Sequence, residues 1–326
     1  MTTTHYFLTG GSGYIGRNLI RFLTEQGHSV VALARSNDSA ARVEALGARA
    51  FRADLLDTDL ADGMVGCQVV IHAAADTDHD NRSVSQYRTN VEGTFNVLNS
   101  ARQAGIKKAL YLSTESVLLN GSPLRQVAED HPLPKLAIGE YSRSKAAAEQ
   151  VARDCADDEF HVVIVRPRFV WGRDDTTALP HLVDAAKSGQ LAWINGGMYL
   201  TSTTHILNLC TGISLALEHG KNGDIYFITD DEPIEFRQFA TSLLATQGVS
   251  APDKSVPLWL LKTLAWSGDV ANRISGGALR GPVTRQSLAT SAVEVTLDIT
   301  KAKEKLGYQP IISRAAGLAE LERNGW

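Results

Sequence analysis

The chain has 326 residues, of which 44% are hydrophobic and 21% charged, and its formal net charge is −4. That make-up belongs to an ordinary globular protein, either one large domain or a domain with a substantial lobe. The mixed charge carries no basic footprint for nucleic acid or an anionic membrane. HYFLT (5–9) predicts the first strand, and GYIGRNLIRFLTEQG (13–27) a helix that stops at Gly27. SVVALA (29–34), ARAFRAD (48–54) and CQVVIHAAA (67–75) predict strands two to four, with a short helix over 36–47. A long helix is expected over about 84–104, and KKALYLST (107–114) is strand five. A helix follows Tyr141, then HVVIVRP (161–167) and, after a further helical stretch, GDIYFIT (223–229) as strands six and seven.

This alternation implies an α/β fold: a Rossmann-type, doubly wound parallel sheet with helices on both faces. Strands one, four and six are almost wholly apolar, as burial on both sides requires. Residues 1–170 are expected to form the dinucleotide-binding domain, with the strand near 223–229 returning to it. Residues 171–326 mainly form a smaller substrate-binding lobe. The N-terminus MTTTHYFLTG does not read as a signal peptide. VPLWLLKTLAW (256–266) is broken by Lys262 and too short to span a bilayer. Cys67, Cys155 and Cys210 are far apart in sequence and sit in apolar patterns. They predict buried thiols in a reducing, cytoplasmic compartment, with no metal site.

The loop TGGSGYIGRNL (9–19) holds Gly11-x-Gly13-x-x-Gly16 between a strand and a helix, the context of a dinucleotide fingerprint. Glycines let the backbone approach a pyrophosphate, and the helix N-terminus supplies free N–H groups. An NAD binder commonly ends strand two in an acid that accepts from the ribose 2′-OH. Here Ala34 stands in that place, followed by Arg35 and Ser36. A guanidinium and a hydroxyl suit a 2′-phosphate, so the cofactor is read as NADP(H), with NAD(H) held by Asp38 as the alternative. In the segment YSRSK (141–145), Tyr141 and Lys145 are four residues apart and so share one face of a helix.

Together the glycine loop and YSRSK resemble the short-chain dehydrogenase/reductases. The closer likeness is to the extended branch of epimerases, dehydratases, hydroxysteroid dehydrogenases and dihydroflavonol reductases, and it covers nearly the whole chain. TGGSGYIG matches that branch through Gly10, Gly13 and Gly16, with Tyr14 and Ile15 inside the motif. Asp54-Leu55 matches the pair that contacts adenine. HAAA, ending in Ala73, Ala74 and Ala75, matches the segment along the cofactor. NVEGTFNVL, starting at Asn90, matches the next helix, and RPRFVWG, with Pro167, the stretch beside the nicotinamide.

The resemblance implies that Tyr141 exchanges a proton with the substrate oxygen while hydride moves. Lys145 tunes Tyr141 and holds the ribose, and Thr114 in YLSTESV (111–117) positions the oxygen, with Ser113 the nearest competitor. A nearby ammonium would favour the phenolate of Tyr141. Read alone, His72 is a satisfied core histidine and Asn90 a surface amide.

The expected function is an NADP(H)-dependent oxidoreductase interconverting a ketone or aldehyde and an alcohol. The alternatives are a nucleotide-sugar epimerase or dehydratase, a non-catalytic NADP(H)-binding regulator, and a scaffold on a dead fold. Dehydratases of this branch have a Thr-Asp-Glu run, whereas this chain has Thr114-Glu115-Ser116. YLTSTTHILNL (199–209) is similar to the form found in ketone reductases. Trp171, Trp193, Tyr199 and the 255–266 segment suggest a hydrophobic or ring-containing substrate, although Trp259 and Trp266 equally suit an amphipathic core helix. His205 could contact that substrate. The loop 120–139 is expected to rim or cover the site. A homodimer through a helix pair is common in the resembled family.

Overall fold

Seven parallel strands form the central sheet in the computed structural model, which describes residues 2–77, 84–265 and 285–325. From one edge they run Ile225–Ile228, His161–Pro167, Lys108–Leu112, Val69–His72, His5–Thr9, Ser29–Ala34 and Arg49–Arg52. The chain therefore builds outward in one direction from His5–Thr9, then crosses back and builds outward in the other. The order reverses between His5–Thr9 and Val69–His72, and the crevice at their carboxyl ends is where an open α/β sheet takes its ligand. Phe7, Leu8, Val70, Ile71, Ala109 and Leu110 are wholly buried because helices cover both faces. Each such large aliphatic side chain contributes roughly 1.5–3 kcal/mol by leaving water.

The elements follow the apolar periodicity, with departures at the carboxyl ends. Strands three, four and five are shorter than the runs 48–54, 67–75 and 107–114, and Ala53–Asp54, Ala73–Ala75 and Ser113–Thr114 follow their carboxyl ends. The helix expected over 84–104 is helical from Val84 to Gln103, but Arg88–Glu92 winds one wide π turn. Such turns recur at functional sites, and this one carries Asn90.

Leu124–Val127 joins a second, four-stranded sheet with Val295–Leu297, Leu200–Thr201 and Ile234–Glu235. The 120–139 segment is therefore tethered at its middle by strand pairing and is not a free lid. Trp171, Leu179, Phe239 and Leu243 form a separate apolar core in this region. Trp193 is also buried, and its Nε1 donates to the Pro252 carbonyl at 2.6 Å. These tryptophans pack the lobe itself. Trp259 is 68% exposed, so it is no core residue, and Trp266 lies outside the described residues.

Candidate active site

Gly10 turns the chain out of the first strand with φ +75°, and a Cβ there would lie 2.8 Å from the Ala74 amide nitrogen. At Gly16 a Cβ would meet the Gly10 carbonyl at 2.1 Å. Only glycine fits either position, and the loop is thereby pressed against Ala73 and Ala74. Gly13 then starts the helix Tyr14–Glu25 with no side-chain cap and no acid in the first turn. The amides at that end, and the positive end of the helix dipole, are left for an anion. Tyr14 is buried and Ile15 packs against the core beneath the loop.

At one end of the crevice lie the residues that follow strands two and three. Arg35 is exposed, while Ser36 caps the helix Asn37–Glu44 through its hydroxyl, in a reciprocal box with Ser39. Ser36 is thus already engaged, and Arg35 is the freer donor. Arg52 lies beside them and donates to the Arg35 carbonyl at 3.1 Å and to Asn37 Oδ1. Asp54 shapes a turn, its Oδ1 accepting from the Leu56 amide at 3.0 Å. Leu55 packs 3.2 Å from where a Cβ on Gly93 would sit, and its carbonyl accepts from Asn96 at 3.1 Å.

Between the two ends, His72 is a structural tie. Its ring nitrogens lie 2.6 Å from Thr9 Oγ1 and 2.9 Å from Thr94 Oγ1, and burial lowers its pKa to about 3, so the imidazole is neutral. Thr9 Oγ1 also accepts from the Ala74 amide at 3.1 Å, which holds the Ala73–Ala75 segment in place. Asn90 is buried rather than on the helix surface. It exchanges hydrogen bonds with the Asp76 backbone at 2.7 and 3.1 Å and donates to Ser144 at 2.9 Å. It joins the strand-four crevice to the helix Glu140–Asp154.

That helix buries Ser142, Ser144, Lys145, Ala148, Glu149 and Ala152, a face unusually rich in polar atoms. The Tyr141 phenol lies close to the Thr114 hydroxyl. Ser113, by contrast, is buried and donates to Glu149 at 2.6 Å. Lys145 lies one turn beyond Tyr141, where its Nζ donates to the Leu112 carbonyl at 2.8 Å and rests 4.3 Å from the Tyr111 ring centroid. Pro167 is buried at the end of strand six, paired with Ile228.

The electrostatics differ from the expectation of a phenol held near ionisation. Burial, then the Glu115 carboxylate, push the Tyr141 pKa upward, against the effect of the neighbouring Thr114 hydroxyl. Burial also lowers the Lys145 pKa to about 7, with the Glu149 carboxylate acting the other way. Without a bound cofactor, then, the phenol is held protonated and the lysine is poised near neutrality. His205 is buried with its ring 4.7 Å from that of Trp171, and burial lowers its pKa to about 4. It packs within the lobe core.

Residues 6–229 match the model of the NAD dependent epimerase/dehydratase family. The chain belongs to that family. It is an extended short-chain dehydrogenase/reductase with the Rossmann-type fold, and an NAD(P)-dependent oxidoreductase. The 4-hydroxy-2-methyl-3-oxo-4-farnesyl-3,4-dihydroquinoline-1-oxide ketoreductase of Stigmatella aurantiaca is 43% identical over 98% of this chain and 96% of its own. A decarboxylating sterol-4-alpha-carboxylate 3-dehydrogenase of Dictyostelium discoideum is 32% identical, covering 97% and 99%. Among solved structures, that of gox2253 superposes with a TM-score of 0.80 at 30% identity, covering 99% of both chains. The dTDP-glucose 4,6-dehydratase DesIV of Streptomyces venezuelae, solved with NAD and TYD, gives 0.76 at 26% identity, covering 98% and 96%.

Two buried ion pairs in this oxidoreductase were not read from the sequence. Arg166 and Glu149 face each other at the base of Lys145, with Arg166 Nε 2.9 Å from Glu149 Oε2. Arg168 Nη1 lies 2.6 Å from Glu115 Oε1, beside Thr114. Glu149 had a signal, since it lies four residues after Lys145 on the same face. Each arginine flanks Pro167, and alternation along strand six gave no hint that both would be buried.

Proposed function

We propose that this oxidoreductase uses NADP(H) and interconverts a ketone or aldehyde with the corresponding alcohol, on a hydrophobic, ring-containing substrate. The observation that carries the reading is the nearness of the Thr114 hydroxyl to the Tyr141 phenol, with Lys145 one helical turn away, at the carboxyl ends of the strands that also present the glycine loop. The uncapped helix behind Gly13 and the close approach at Gly10 and Gly16 suit a pyrophosphate. Gly10, Gly13, Tyr14, Ile15 and Gly16 would hold that group, Asp54 and Leu55 the adenine, and Ala73–Ala75, Asn90 and Pro167 the nicotinamide half. Arg35 would take a 2′-phosphate, supported by Arg52. When bound, the nicotinamide supplies the hydride.

The chain's own residues do the rest. Tyr141, held protonated by burial, donates to the substrate oxygen during reduction and accepts the proton back during oxidation. Thr114 fixes that oxygen beside the phenol. Lys145 turns from the Leu112 carbonyl toward the ribose hydroxyls, and its ammonium, with the oxidised ring, lowers the cost of phenolate in the oxidation direction. The 43% identical relative is named for a 3-oxo-dihydroquinoline bearing a farnesyl group, and the next for a sterol, which supports a ring-containing ketone. The sugar-enzyme alternative is disfavoured because Glu115, the one acid beside Thr114, is already engaged by Arg168. The three cysteines are free, in keeping with a reducing cytoplasm.

The test is a panel of ring ketones, aldehydes and nucleotide sugars followed by reduced-nicotinamide absorbance. NADPH consumption with a ketone, abolished at least 100-fold in Tyr141→Phe while NADPH still binds, is the expected outcome. Wild-type turnover in that variant would exclude the mechanism.

A further inference from the structure

We propose, resting on the oxidoreductase reading above, that Ser113 is a positioning residue. It ties the strand end that carries Thr114 to the helix that carries Tyr141 and Lys145, and keeps the two in register while cofactor and substrate are bound. Thr114 follows strand five, Lys108–Leu112, whereas Tyr141 and Lys145 lie on the helix Glu140–Asp154. Proton transfer needs such groups held to within about 0.5 Å of one arrangement.

The helix grips the strand end at two successive turns. Lys145 Nζ donates to the Leu112 carbonyl at 2.8 Å, and four residues on, Glu149 Oε2 accepts from the Ser113 hydroxyl at 2.6 Å. The first tie is given up when Lys145 turns to the ribose hydroxyls. The second is kept, because Ser113 and Glu149 are 4% and 1% exposed and are already bonded to each other.

Glu149 is itself fixed. Arg166 Nε donates to its Oε2 at 2.9 Å, and Arg166 Nη2 to its Oε1. Arg166 lies on strand six, and the residue before it, Val165, accepts through its carbonyl from the Ser113 amide at 2.8 Å. Ser113, Glu149 and Val165–Arg166 thus close a ring of hydrogen bonds through the end of strand five, the catalytic helix and strand six. Sliding the helix along the strands would stretch charge-assisted bonds in a dry site, where they are strongest.

Ser113 does not take Thr114's own part, since its proton is on Glu149. Thr114 is half-buried, and its hydroxyl proton, directed at Glu115 Oε2 2.8 Å away, re-aims at a substrate oxygen by rotation about one C–O bond. Ser113 therefore acts through Thr114 and makes no contact with substrate.

The experiment is a double-mutant cycle on turnover, read by reduced-nicotinamide absorbance with the ring ketone reduced fastest in the panel above. Ser113→Ala should lower kcat roughly 10- to 100-fold, the order for a reacting group displaced by up to about 1 Å. KM and the NADPH dissociation constant should stay within about twofold, because only the transition-state arrangement is lost. Thr114→Val keeps the shape, removes the hydroxyl and should also lower kcat. Adding Ser113→Ala to it should cost less than about threefold more, as no hydroxyl is left to position, whereas a merely structural serine gives losses that multiply. Multiplying losses, or a Ser113→Ala kcat within about twofold of wild type, overturn the inference. Ser113→Cys keeps the size and donates only weakly. It repeats the cycle should the alanine variant not fold, with the same non-additive result expected. A Thr114→Val enzyme as fast as wild type, or a panel in which no ketone is reduced, sinks the parent mechanism. A slow Thr114→Val enzyme with a multiplying Ser113→Ala loss sinks only this inference.

Discussion

Glu149→Ala should destabilise the cofactor-free protein by about 3–5 kcal/mol, the usual cost of leaving one member of a buried ion pair alone. The structure explains why this site belongs at that level. The Arg166 and Glu149 side chains are 2% and 1% exposed, and the carboxylate accepts from Arg166 Nε, Arg166 Nη2 and Ser113. Among the described residues Arg166 Nη1 already has no hydrogen-bond partner, so the guanidinium would keep its charge in a dry site with little to solvate it. A typical domain has only about 5–15 kcal/mol of stability in total. At about 2–4 °C per kcal/mol for a chain somewhat smaller than this one, the melting temperature should fall by roughly 5–15 °C. Urea denaturation with circular dichroism reads the loss directly. Glu149→Gln/Arg166→Met, which removes both charges, should recover most of it. A Glu149→Ala protein within about 0.5 kcal/mol of wild type, the spread of innocuous surface changes, would refute the reasoning. So would a double variant no more stable than the single.

Two further outcomes are expected. Arg35→Ala should weaken NADPH binding by roughly 10- to 100-fold, the worth of a charge-assisted hydrogen bond of about 1.5–3 kcal/mol, and leave NADH almost unchanged; equal losses in a fluorescence titration would remove the case for the 2′-phosphate. For Lys145, whose pKa falls from 10.5 to about 7 on folding, the unfolded chain binds more protons across that window. Stability without cofactor should therefore rise with pH between about 7 and 10.5, by up to about 1.4 kcal/mol per unit, and the penalty should be complete below it. Urea denaturation of Lys145→Met, compared with wild type over pH 7–9.5, should show that slope missing.

Much of the architecture was legible because it is periodic. Two-sided burial makes strands one, four and six continuous apolar runs, and Gly27 and Gly47, with φ of +81° and +88°, end their helices where sequence punctuation placed the stops. Strand ends were less legible, since Ala73–Ala75 and Ser113–Thr114 are as apolar or small as the strands they leave. The aromatic residues misled for a related reason. A tryptophan's hydrophobicity does not say which surface it covers, and Trp171 and Trp193 fill the lobe's own core while Trp259 faces outward.

Local chemistry, then, was written in the chain: where the backbone must be glycine, which two side chains share a helical face, and which strand end lacks an acid. These depend on neighbours within a turn or two, and sterics and helical geometry act at that range. Only the folded molecule decided the charge state around Tyr141 and Lys145. Burial and the carboxylates of Glu115 and Glu149, paired with arginines 53 and 17 residues away, set those pKa values. Desolvation and Coulomb interaction depend on distance in space, and spacing along the chain does not report it.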